Sequence, residues 1–218
     1  MTDFALARRN MIEGQLRPNR VTNAPLLAAV GELPRERFLP DGLRAVAYAD
    51  DDVPLGNGRF LMEPMVLARL IQALQPQSDH RALVVASGRG YGAALLVRLV
   101  GSVVAVESDP ALAAAAAQTA RELGLSGIQQ KVGKLEDGDP PGPYDLILIE
   151  GAVQRVPPAL LDQLAEGGRL TTVMVGPVGA LGLAQLFVKQ GGALSGRPLF
   201  DAGTPSLPGF APPPRFTF

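Results

Sequence analysis

Residues 82–107 read ALVVASGRGYGAALLVRLVGSVVAVE, and this stretch decides the fold. Ala82 to Ala86 is wholly apolar, too short for a helix and free of polar alternation, and Ser87-Gly88-Arg89-Gly90-Tyr91-Gly92 follows it directly. A run of that kind bounded by glycine is a strand buried on both faces, as in a parallel sheet covered by helices. Residues 91–99 return to helical spacing, Val103 to Val106 form a second apolar run, and Glu107 closes it. Strand, glycine-rich turn, helix and strand make the opening βαβ unit of an α/β domain with a doubly wound, mostly parallel sheet.

The rhythm continues downstream. An Ala-rich helix at 109–123 stops at Gly124, Ile128 to Val132 is a weaker third strand, and Leu146 to Ile149 is a fourth. A helix over 157–165 ends at Gly167-Gly168, before a fifth strand at Leu170 to Val175. Beyond Gly179 the alternation breaks: residues 183–189 and 193–200 flank Gly191-Gly192, which predicts an antiparallel hairpin closing one sheet edge. Upstream, helical spacing at 3–17 ends at Pro18-Asn19, a second helix at 22–31 has Thr22 or Asn23 as its cap, and a third runs from Glu63 to Leu74. Residues 49–58, with three consecutive aspartates, read as a solvated loop, since calcium would need spaced ligands. The chain therefore divides into an N-terminal helical extension with its loop (1–78), a core (79–202) and a proline-rich tail (203–218). In the tail, Leu207, Phe210, Phe216 and Phe218 predict packing against the core in extended form.

Composition narrows the chemistry. With 20 Lys and Arg against 21 Asp and Glu in 218 residues, no broad field draws the chain to nucleic acid or anionic lipid, and neither partner is expected. There is no cysteine, and the one histidine, His80, lies in the polar stretch QPQSDHR, where an exposed loop side chain is expected. Ser/His and Cys/His nucleophile systems and His or Cys metal sites thus have almost nothing to be built from, and no metal is expected. The missing cysteines fit a reducing compartment, and MTDFALARRNMIEG lacks the apolar core of a signal peptide, so a cytoplasmic location is expected. The most apolar stretches, near 93–106 and 170–178, are short and interrupted, so no membrane span is expected.

The turn after the first strand brings backbone N–H groups to the carboxyl edge of the sheet, where a ligand can approach closely. Glu107 lies 19 residues beyond Gly88, the spacing of an acid that accepts hydrogen bonds from a ribose diol. Together they predict a nucleoside ligand. The bland alternatives are a turn that only packs helix on strand and an acid that only meets water. Ser-Gly-Arg-Gly-Tyr lacks the third glycine that seats a pyrophosphate, and the closing hairpin is foreign to a dinucleotide fold; both favour S-adenosylmethionine.

RRNMIEGQLRPNRVTNAPLLAAVGELPRERFLP, AYADDDVPLG, the glycine turn, and PYDLILIEGAVQRVPPALLDQLAEGGRL occur in that order. In these four segments the chain resembles the protein-L-isoaspartate O-methyltransferase family. The resemblance implies a class I methyltransferase core that moves a methyl group from S-adenosylmethionine to isoaspartyl carboxyls of damaged proteins, as a repair step, so the partner would be a protein or peptide. It implies cofactor contacts from Ser87, Gly88, Gly90, Tyr91 and Glu107.

Departures from the family pattern are specific. The family's first-strand acid aligns with Val84 and its leading turn glycine with Ala86; the acid after the third strand is Lys134, with Glu136 or Asp137 as possible substitutes. Losing the carboxylate at Val84 weakens cofactor binding by about 1.5–3 kcal/mol. The family's serine aligns with Met62, in Leu61-Met62-Glu63-Pro64, and cannot donate a hydrogen bond. Glu63 replaces the family's amide and Glu150 ends the fourth strand, so two acids are expected where a carboxylate acceptor would dock, raising each other's pKa and repelling it. On that reading Glu63 or Glu150 is the catalytic group, a general base for a hydroxyl or amine acceptor. The alternatives are a capping Glu63 with a solvated Glu150, and a non-catalytic binding module that keeps only the fold. Arg89, in the turn, could pair with Glu63, Glu150 or the cofactor carboxylate.

Overall fold

The computed structural model describes residues 3–176 and 181–210. Seven strands form one sheet in the order β5-β4-β3-β6-β7-β8-β9. They are β3 (Arg81–Val85), β4 (Ser102–Glu107), β5 (Ile128–Val132), β6 (Tyr144–Val153), β7 (Leu164–Met174), β8 (Gly182–Gln190) and β9 (Ala193–Ala202). Neighbours from β5 through β7 run parallel, whereas β8 is antiparallel to both β7 and β9. The doubly wound sheet with a closing hairpin is the architecture that the apolar runs predict.

The helices follow from equally local causes. Asp3 caps α1 (Phe4–Met11), Asn23 caps α2 (Ala24–Glu32) and Asp109 caps α5 (Pro110–Glu122), each accepting from a first-turn N–H. α3 (Pro64–Leu74) starts on a proline, and α4 (Tyr91–Val97) starts directly after Gly90. α6 (Pro158–Asp162) is shorter than expected: β7 already begins at Leu164, so the end of the predicted helix is sheet. The first helix differs too, since Ile12–Leu16 widens into a π-helical turn.

Alternate side chains of the central strands feed two cores, one on each face of the sheet. Leu83, Val85, Ile147 and Ile149 pack on one side. Ala82, Val84 and Leu148 pack on the other, in a cluster that also takes in Met11, Leu26, Leu70 and Leu96. The N-terminal helices therefore share a core with the sheet. Arg35 is fully buried within this layer, its Nε donating to Ala47 O and its Nη2 to Met62 O, both at 2.6 Å.

One expectation fails. Residues 49–58 are not all loop: β1 (Val53–Gly56) and β2 (Arg59–Leu61) pair antiparallel. They turn at Asn57-Gly58, with φ of 49° and 69°. That dipeptide is the strongest short hairpin signal there is, and it was hidden by Pro54 and by strands of only three or four residues.

The tail returns over the sheet as far as it is described; Phe216 and Phe218 lie outside the described residues. Ala152 N donates to Pro205 O (3.1 Å) and Leu207 N to Ala152 O (2.8 Å). Leu207 occupies the space that a side chain on Gly151 would need, and Phe210 is buried in the same cluster. Truncating Leu207 to Ala should therefore destabilise the fold by about 2–5 kcal/mol. Exposed Ser206→Ala next to it should stay within about 0.5 kcal/mol. Urea unfolding of the two variants checks this, and equal midpoints would mean the tail is not part of the core.

Candidate functional site

The site lies at the carboxyl ends of β3, β4 and β6, where the strand order reverses and ligands bind in such sheets. The turn after β3 is tightly wound: Ala86, Gly88 and Gly90 have φ of 61°, 53° and 90°. For an alanine the left-handed conformation costs roughly 1–2 kcal/mol. It is held by hydrogen bonds from Ser87 N to Val106 O (3.2 Å) and from Gly90 N to Ser87 O (2.8 Å).

Glu107 stands where the spacing predicts, at the end of β4 beside the turn, and it is fully buried. Its Oε2 accepts from Gly88 N at 2.9 Å; its Oε1 accepts from Ser108 N at 2.7 Å and Asp109 N at 3.0 Å. The Arg59 guanidinium closes the arrangement, with Nε 3.1 and 3.3 Å from the two oxygens and Nη2 2.8 Å from Ser108 Oγ. Where the sequence leads one to expect a carboxylate facing a ribose diol, Glu107 accepts four N–H donors, three of them on Oε1, with Oε2 taking Gly88 N and the longer arm of the Arg59 contact.

The hairpin that carries Arg59 covers the turn as well. A Cβ on Gly88 would stand 3.0 Å from Leu55 Cδ1, so Leu55 fills the approach that the glycine leaves open. Asn57 Nδ2 donates to Asp109 Oδ2 at 2.7 Å, and Pro208 of the tail presses on Gly58. The acid and the turn suit an S-adenosyl group, and Leu55 and Arg59 are the side chains that lie against them.

The acceptor side is built differently from what the sequence predicts. The Glu150 carboxyl lies against Gly92 at the start of α4, in room that any side chain at position 92 would take. It is 5 % exposed, and its Oε1 has no hydrogen-bond partner. Burial first, and then the charge of Glu107, push its pKa up to about 8, against the pull of Arg35. Glu63 is raised to about 7, by its own partial burial and by Asp50, Asp52 and Asp51. The expected mutual repulsion of Glu63 and Glu150 is therefore not what raises either of them. The structure pairs Glu150 with Glu107, and Glu63 with the aspartates, of which Asp52 also accepts from Glu63 N at 2.8 Å.

Each remaining candidate has a definite place. Ser87 is buried with Oγ accepting from Gln130 Nε2 (3.1 Å). Tyr91 packs its ring against Phe38 (5.2 Å between centroids) and under Arg35 (5.0 Å). Gly90 makes room for Ala116 of α5, 3.1 Å from where its Cβ would be, so it serves helix packing. Met62 is fully buried. Arg89 lies in the field of Arg44 and Asp41 rather than of Glu63 or Glu150. Lys134, Glu136 and Asp137 are exposed. Among the described residues no cluster of three metal-ligating side chains occurs, and no helix is long and apolar enough to cross a membrane.

Arg59, Leu55 and Arg35 were missed. Asn57-Gly58 could have revealed the first two, because a hairpin there brings Arg59 back over the sheet edge. For Arg35 no local pattern signals burial.

A seven-stranded sheet with an antiparallel last hairpin, a glycine turn after its first strand and an acid ending its second defines the class I S-adenosylmethionine-dependent methyltransferase fold. Residues 7–199 match the model of the protein-L-isoaspartate(D-aspartate) O-methyltransferase family, and the chain belongs to that family. It is 39 % identical over 189 residues to protein-L-isoaspartate O-methyltransferase 1 of Rhodopseudomonas palustris, covering 86 % of this chain and 76 % of that one. The same identity holds over 204 residues with the enzyme of Koribacter versatilis, across 92 % and 90 % of the two chains. A solved protein-L-isoaspartate O-methyltransferase superposes with a TM-score of 0.81 at 26 % identity, over 93 % of this chain and 66 % of that one. A Plasmodium falciparum structure described as a putative member in complex with S-adenosyl-L-homocysteine shares the fold at 18 % identity (TM-score 0.76), over 95 % and 99 %.

The raised pKa of Glu150 has a direct consequence for stability. The folded chain holds this proton up to about pH 8, whereas an unfolded glutamate releases it near 4.3. The contribution is complete below the unfolded value and is lost as pH rises through the folded one, at up to about 1.4 kcal/mol per unit. Glu150→Gln should therefore lose less stability than the wild type between pH 5.5 and 8 in chemical denaturation. Parallel losses would place the titrating group elsewhere.

Proposed function

We propose that this chain transfers a methyl group from S-adenosylmethionine to isoaspartyl carboxyls of proteins, docking the acceptor carboxylate on side chains that remain protonated near neutral pH. S-adenosylmethionine supplies an electrophilic methyl group; what remains for the protein is to bind, orient and exclude water. The observation that carries the reading is the burial of Glu150, 5 % exposed with its Oε1 unpartnered, beside a half-buried Glu63. Glu150 keeps its proton to about pH 8 and Glu63 to about 7.

A protonated carboxyl donates one hydrogen bond, as a serine hydroxyl or an amide does. Neutral Glu63 thus supplies a donor beside the buried Met62, and it no longer adds its own charge to that of Asp50, Asp51 and Asp52. Names of the relatives support this acceptor, and the Cys-free composition supports a reducing, cytoplasmic setting. The positions proposed to face the cofactor are Ser87, Gly88 and Glu107, with Gly90 and Tyr91 shaping the turn from behind.

The rival reading, a hydroxyl or amine acceptor with Glu63 as general base, draws on the same raised pKa and predicts the opposite pH dependence. With a carboxylate acceptor, kcat/KM for an isoaspartyl peptide should fall as pH rises through 7, approaching tenfold per unit, and Glu63→Gln should flatten the profile. A rate that climbs through pH 7, or a peptide that adds nothing to background methyl release, would remove the proposal.

A further inference from the structure

The β1–β2 hairpin has more bonds to the nucleoside crevice than its size requires. It is only nine residues long, yet each part of it meets a different piece of the crevice. Arg59 reaches Glu107 and Ser108, Asn57 reaches Asp109, and Leu55 covers Gly88. Arg59 is 5 % exposed, and its Nη1 is buried without a hydrogen-bond partner. Its Nε spans both carboxylate oxygens of Glu107, so the same guanidinium that brings the hairpin down also occupies the acid.

We propose that the hairpin is a latch over the crevice, and that Arg59 holds it shut by occupying the positions on Glu107 that a ribose diol needs. The inference rests on the S-adenosylmethionine reading of the site. Ribose hydroxyls and the Arg59 guanidinium cannot both be satisfied by the same oxygens, because Gly88, Ser108 and Asp109 hold theirs from the backbone. Binding an adenosyl group therefore requires Arg59 to withdraw, and Leu55 withdraws with it, being four residues away on the same two-stranded unit. Asn57 and Asp109 form the outer catch, at the exposed tip of the hairpin. Such a latch lowers apparent affinity by the fraction of time it stands open: a hairpin closed nine-tenths of the time costs about tenfold.

The experiment is calorimetric titration of S-adenosylhomocysteine into the wild type, Arg59→Gln and Asn57→Gly, with hydrogen exchange of residues 53–61 with and without ligand. Glycine suits position 57, whose φ is already positive. Arg59→Gln should tighten binding about tenfold and Asn57→Gly by a smaller factor, and the hairpin amides should lose protection on saturation of the wild type. If Arg59→Gln lowers only the melting temperature and leaves the dissociation constant unchanged or weaker, Arg59 is structural and the latch is refuted. Greater protection of 53–61 in the complex also refutes it, since the hairpin would then be a lid closing on the ligand. Should neither the wild type nor any variant bind at millimolar ligand, the cofactor reading itself fails, and the latch with it. Hydrogen exchange on the wild type keeps the test decisive even where Arg59→Gln folds poorly.

Discussion

A carboxylate removed from water at the end of β4 must be compensated, and the compensation of Glu107 organises the whole carboxyl edge of the sheet. Transfer of an unpaired carboxylate into the protein interior is prohibitive. Four N–H donors therefore converge on it, and each donor fixes a different element. Gly88 N sets the turn after β3, Ser108 N and Asp109 N set the entry to α5, and Arg59 brings the β1–β2 hairpin down from the N-terminal region. Breaking such a pair by deleting one partner typically costs about 3–5 kcal/mol. Glu107 is thus at once the hinge of the fold and the group on which the cofactor would depend.

Glu150 meets the same constraint with the opposite solution. It lies at the neighbouring strand end, close enough to Glu107 to feel its charge, and no N–H donor reaches its Oε1. The buried guanidinium of Arg35 acts on it only at a distance, with Nε on Ala47 O, Nη2 on Met62 O and its plane over Tyr91. A carboxyl so placed keeps its proton. One sheet edge therefore carries a carboxyl ringed by N–H donors beside one that burial pushes up to about 8.

The sheet was legible because buried strands and amphipathic helices leave their period in the sequence: β3, β4 and β6 appear as unbroken apolar runs, and Glu107 falls at its expected spacing. The hairpin was not, because strands of three and four residues carry no period, and its register depends on one dipeptide. The environments of Glu63 and Glu150 were not legible either. Spacing places an acid at a strand end, but the sign of its effect depends on which charges fold around it. Here the neighbours of Glu63 are three adjacent aspartates, and those of Glu150 come from residues 35 and 107. Gly90 shows the converse, a glycine in the right motif whose freedom is used by Ala116 of a packing helix.

Val84, Met62 and Ala86 are apolar and buried. Val84 and Met62 belong to the large buried cluster that the N-terminal helices share with the sheet, so a polar side chain at either position would be surrounded by apolar ones. Ala86 joins the opposite core, where its methyl contributes about 0.8 kcal/mol of burial. That offsets only part of the roughly 1–2 kcal/mol its left-handed backbone costs. A turn that served packing alone could relax at that residue. This one stays wound because Gly88 N must reach Glu107, which means the backbone is held in the shape of a ligand cradle even where the side chains around it have become apolar. The acid and the curvature are both present, and an arginine from the hairpin holds the acid.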